Sequence, residues 1–70
     1  MSDWPSTKAN RVLASLLRIG WNFKRQTGSH KVLARDGWPN VVFAFRDREE
    51  LVPRMLVRIS KRTGLKPEDL

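Results

Sequence analysis

Seventy residues make one domain with a small core, because a chain of this size buries only about 60% of the surface its unfolded form exposes. With no cysteine and a single histidine, neither a disulfide framework nor a thiolate zinc site can staple it, so packing alone must hold the fold. The net charge is +7, and between Trp4 and Arg35 no acidic residue offsets Lys8, Arg11, Arg18, Lys24, Arg25, Lys31 and Arg35, a field that suits a polyanion.

The opening MSDWPSTKAN lacks the apolar stretch of a signal peptide, and no apolar run approaches a membrane span; a cytoplasmic location is therefore expected. Ser6 or Thr7 can cap a helix in which Ala9, Val12, Leu13, Leu16 and Leu17 recur on one face; it is expected to run to about Ile19 and stop at Gly20. Trp21, Phe23 and Arg25 then alternate with Asn22, Lys24 and Gln26, the period of a half-buried strand. Thr27-Gly28-Ser29 carries turn chemistry, and His30 to Arg35 resumes an extended pattern, which predicts an antiparallel hairpin. Asp36 to Asn40 is the strongest turn cluster, and Val41 to Phe45, β-branched and aromatic almost throughout, is the strongest strand.

Asp47 to Glu50 ends the sheet. A second helix follows, with Val52, Met55, Leu56 and Ile59 inward, Pro53 in its first turn and Gly64 at its end. Asp47 and Glu50 resemble a capping box, but a helix starting there would hold Pro53 in its interior at a cost of about 3 kcal/mol, so the later start is preferred. Its outer face shows Arg54, Arg58, Lys61 and Arg62, which suit either phosphates or the C-terminal helix dipole. The expectation is a single domain over 1–70 with short flexible ends at 1–5 and 66–70. Its fold class is α+β, a two-layer α-β-β-β-α arrangement in which both helices cover one face of a three-stranded antiparallel sheet. Trp21 is expected in the core and Trp38, beside Pro39, as a loop anchor.

His30 is the one residue whose chemistry stands out. No carboxylate shares ligand spacing with it, so no metal or other cofactor is expected, and there is no glycine-rich phosphate loop. Ser29 and His30, neighbours on an extended chain, point to opposite faces and do not form a nucleophile–base pair. Cleavage of RNA needs less, because the 2′-hydroxyl is the nucleophile: an imidazole removes its proton, and Lys24, Arg25 or Lys31 can steady the phosphorane. No second histidine protonates the leaving oxygen. On residue chemistry alone, catalyst and ordinary hairpin residue both remain open.

Three stretches carry a family resemblance: VLASLLRIGW (Val12–Trp21), KRQTGSH (Lys24–His30) and LVPRMLVRISKRTGL (Leu51–Leu65), followed by KPEDL. Together they resemble the HicA toxins of bacterial type II toxin-antitoxin systems, messenger-RNA interferases with a fold like that of double-stranded-RNA-binding domains. The resemblance implies that His30 is catalytic, that Gly28 and Ser29 shape its turn, and that a HicB-type antitoxin neutralises the protein. Taken with the basic residues read above, the expected RNA-binding set is Lys24, Arg25, Gly28, Ser29, Lys31 and Arg46, continued along the second helix by Arg54, Arg58 and Lys61. Many family members have a second histidine where this chain has Lys31, and a Pro-x-His element where it has Ala44, Phe45 and Arg46. A non-catalytic RNA-binding module of the same fold is the alternative reading. A third is a purely protein-binding role for the Arg54, Arg58, Lys61 and Arg62 stripe.

Overall fold

A computed structural model describes residues 3–70. Helix α1 spans Ala9–Arg18 and buries Ala9, Val12, Ser15 and Leu16. It begins later than a Ser6 or Thr7 cap would require: Lys8 is the N-cap, and the Thr7 hydroxyl donates instead to the Pro5 carbonyl at 2.9 Å. The reason is a short strand β1, Thr7–Lys8, which pairs antiparallel with β5, Glu50–Leu51. This pairing brings two loop carbonyls to the helix N-terminus, where Ala9 N–H donates to Glu49 at 2.8 Å and Asn10 N–H to Asp47 at 2.9 Å. Two donors that a side-chain cap would share are satisfied by backbone. At the other end Gly20, at φ +113°, closes the helix. Trp21 N–H bonds back to the Leu16 carbonyl and Gly20 N–H to that of Leu17, the paired bonds of a Schellman stop.

Strands β2 (Asn22–Thr27), β3 (His30–Arg35) and β4 (Trp38–Phe43) form an antiparallel sheet in the order β2-β3-β4. Residues opposite one another share a face. Phe43 and Gln26 therefore lie with the buried Lys31, and Val41 and Phe23 with the buried Leu33, on the helix side. His30 with Thr27, and Val32 with Arg25 and Val42, lie on the other. The expected half-buried pattern of β2 is not found. All six of its residues are exposed, Phe23 at 48%, because β2 is an edge strand and a bulge at Lys24 shifts its register. The third strand runs Trp38–Phe43 rather than Val41–Phe45; Pro39 fits there because it sits on an edge strand at a register shift, where a missing N–H is tolerated.

Helix α2 spans Pro53–Thr63, with Pro53 in its first turn and Gly64 in the left-handed conformation at its end, as the sequence predicts. Val52, expected inward, is 52% exposed: it is the N-cap, and its carbonyl accepts from Met55 and Leu56. Both helices cover one sheet face, and a single cluster of Ala9, Val12, Leu16, Trp21, Leu33, Phe43, Leu51, Leu56, Ile59 and Leu65 fills the space. Trp21 is in that core as expected, its indole N–H donating to the Thr63 carbonyl at 3.0 Å. Trp38 meets Trp21 edge-on at 5.9 Å, with Arg35 over its ring. Residues 67–69, expected within a loose tail, form a 3₁₀ turn whose Asp69 carbonyl accepts from Arg18 at 2.6 Å, and Leu70 packs on the core. Of the expected flexible N-terminal end, Met1 and Ser2 lie outside the described residues, and Trp4 packs against the core. No helix among the described residues is long and apolar enough to cross a membrane.

Gly64 and Gly37 test how the core is closed. Both have positive φ, but a Cβ on Gly64 meets Trp38 at 3.0 Å while one on Gly37 meets nothing within 4 Å. Gly37→Ala is expected to cost about 1 kcal/mol of folding free energy from backbone conformation alone. Gly64→Ala should cost clearly more; equal midpoints in urea denaturation would show that Trp38 does not fill the space over the end of α2.

Candidate functional site

The hairpin joining β2 and β3 is as tight as a hairpin can be. Thr27 pairs with His30, so Gly28 and Ser29 are the whole loop, and Gly28 at φ +58° occupies the position that a type II′ turn reserves for glycine. The Gln26 side-chain amide donates to the Gly28 carbonyl at 3.0 Å and steadies the tip. His30, the first residue of β3, is therefore held by a short, well-defined backbone at the extremity of the sheet. Its side chain is exposed and makes no hydrogen bond or ion pair among the described residues. The ring is thus not part of the buried core.

The expected cations divide between the two sides of the hairpin. Arg25 faces the same side as His30 as its diagonal neighbour across the strand pair; diagonal neighbours in a sheet sit roughly 7–8 Å apart. Lys24 stands exposed at the bulge beside it. Neither has a partner among the described residues. Arg46, also exposed, follows β4 and lines a shallow hollow together with Gln26, Gly28, Ser29, Lys31, Phe45 and Asp47. Lys31 departs from its expected place. The strand period turns it away from His30 onto the helix side, where it is 7% exposed and its Nζ lies 3.9 Å from an Asp47 carboxylate oxygen. It borders the hollow that Arg46 lines, on the sheet face opposite the imidazole.

Arg54, Arg58 and Lys61 are exposed on α2, remote in sequence from the hairpin. Arg58 and Lys61, with Arg62, border a groove between α2 and β4; Arg54, one turn earlier, does not. Phe45 lines this groove and the hairpin hollow alike, and so stands between the two cationic regions. Sequence reading passed over Phe45 as a strand residue and Asp47 as a sheet terminator. The inward turn of Lys31 was readable from the alternation of β3; its meeting with Asp47 was not, because that contact depends on the path of the loop after β4. Among the described residues no three His, Asp or Glu side chains come together as a metal site.

Comparison with known proteins gives one finding of weight. A model of the family described as HicA toxin of bacterial toxin-antitoxin matches residues 9–65, most of the chain, from the start of α1 to just past the end of α2. Searches among curated proteins and among solved structures returned no match.

The Lys31–Asp47 contact joins a buried ammonium to a carboxylate that is 74% exposed, at the outer limit of an ion pair, and such pairs contribute at most about 1 kcal/mol. Lys31→Met keeps the apolar stem and removes the buried charge. Its urea midpoint should equal or exceed that of the parent; a marked loss of stability would show that the ammonium is a structural element.

Proposed function

The chain belongs to the HicA toxin family of bacterial toxin-antitoxin systems, and on that premise we propose that it is an endoribonuclease that cleaves messenger RNA with His30 as its catalytic base. The observation that carries this reading is the setting of His30: an unpartnered imidazole at the tip of a two-residue turn, on a sheet face that no helix covers, in a strongly cationic half of the chain. A histidine serving the core would be buried and hydrogen-bonded within the protein.

In the proposed reaction RNA supplies the nucleophile. The neutral imidazole of His30 takes the proton of a ribose 2′-hydroxyl, the 2′-oxygen attacks the adjacent phosphorus, and the 5′-oxygen leaves, giving a 2′,3′-cyclic phosphate and a 5′-hydroxyl end. Negative charge grows on the non-bridging oxygens, and Arg25 on the same face, with Lys24 beside it, provides the guanidinium and ammonium that stabilise it. Arg46 holds the strand where it passes the tip, against the backbone of Gly28 and Ser29. A solvent water gives its proton to the departing oxygen, and the hydroxide left takes the proton held by the His30 imidazolium, which restores the base. Nothing in this scheme asks for a metal ion.

An antitoxin partner follows from the family. A HicB-type antitoxin that covers His30 is the corresponding proposal, since an exposed base at a hairpin tip is readily occluded by a bound protein.

The decisive experiment assays purified protein on a defined RNA in the presence of a chelator. The parent is expected to cut and His30→Ala to lose at least about 10²-fold in rate; equal cutting by both would remove His30 from the chemistry. A variant that still binds but does not cut separates catalysis from simple RNA recognition. Arg25→Ala should weaken single-stranded RNA binding and reduce the slope of log K against log salt by about 0.7, the share of one phosphate contact. Lys31→Met should leave that slope unchanged; a reduction would return Lys31 to the RNA-binding set.

A further inference from the structure

The β4 edge and the groove beside α2 are not used by the chemistry assigned to His30. The sheet order leaves two edges, β2 and β4. The first carries a bulge at Lys24 followed by Arg25, devices that discourage pairing with another strand. The second has Pro39 and a register shift only in its first half. From Val41 to its end at Phe43 it carries no charge, nor do Ala44 and Phe45 just past it, and among the described residues none of these backbone groups bonds to a turn, loop or helix. Alongside runs a groove of 470 Å³ with Phe43, Phe45 and Met55 on its floor, Arg58, Lys61 and Arg62 on its rim, and no acidic residue in its lining.

We propose that this groove receives an extended acidic segment of a protein partner, which adds to the sheet as a fourth strand along Val41–Phe43. Its backbone pairs with the open edge, its apolar side chains rest on the floor, and its carboxylates meet the three rim cations. The proposal rests on the family's implication of an antitoxin protein and not on cleavage by His30. A phosphodiester chain has cations to meet here but no use for the aliphatic floor or the strand edge. A second copy of this chain, docked about a two-fold axis, would set Arg58, Lys61 and Arg62 against themselves.

The test titrates isotope-labelled protein with a synthetic octapeptide of valine pairs alternating with glutamate pairs, so that each strand face carries both residue types, and separately with an oligouridylate, followed by amide chemical shifts and hydrogen exchange. The peptide is expected to shift amides 41–45 and 58–62, to slow exchange at alternate amides of β4, and to bind about tenfold more weakly to Arg58→Glu/Arg62→Glu with an unchanged circular-dichroism spectrum. No shift at these amides at millimolar peptide overturns the proposal. So does a response of the groove to the oligouridylate alone, or a protein that is dimeric by itself with its β4 amides already protected. None of these readouts depends on RNA cleavage, so failure here leaves the nuclease reading untouched, and loss of the nuclease reading leaves this one standing.

Discussion

The fold turns on one indole. Trp21 sits where α1 ends and β2 begins, and its N–H reaches across to the Thr63 carbonyl at the last turn of α2. Thr63 is itself fully buried, its hydroxyl donating to Ile59 and accepting from Leu65 N–H, so the end of α2 and the chain after it are tied to the same point. Trp38 closes the arrangement from the β3–β4 hairpin, edge-on to Trp21 and with the outer carbons of its six-membered ring over Gly64. In a domain with no disulfide and a core of ten buried apolar residues, this junction lets two helices and three strands share one anchor. A buried indole without an acceptor would carry an unmet donor, which costs about 1–3 kcal/mol, and so Trp21 fixes how the helices meet.

With both helices committed to one face, the other face of the sheet is left to solvent, and it is there that His30, Arg25 and Thr27 stand. The chain is too short to build a second layer, so the face that carries His30 is left bare. The cations of α2 serve a different region. Phe45 lines both the hairpin hollow and the groove: the hollow sets Arg46 and Lys31 beside Asp47, whereas the groove pairs apolar side chains with Arg58, Lys61 and Arg62.

Much of this was legible in the sequence. The apolar spacing of both helices, Gly20 and Gly64 as stops, Pro53 as a first-turn residue and the three-strand meander all follow from short-range rules, and the structure agrees with them. What escaped depends on contacts distant in the chain. Two-residue strands such as β1 and β5 are too short to show a period, and the loop carbonyls that replace a Ser6 or Thr7 cap lie about forty positions away. The exposure of β2 could not be read from its alternation, because alternation reports a face and not whether anything covers it. At the site, His30 and its turn were evident from residue types alone, whereas the burial of Lys31 against Asp47 required the third dimension.

The backbone capping of α1 has a kinetic consequence. Its first two amides find acceptors only once the segment after β4 has returned to pair with Thr7 and Lys8, and the first turn contains no acidic side chain to stand in for them. The opening helix is thus not an autonomous nucleus. Its beginning is completed by closure of a long loop, so the ordering of the N-terminal turn belongs to the late stages of chain collapse, after the hairpins have formed locally.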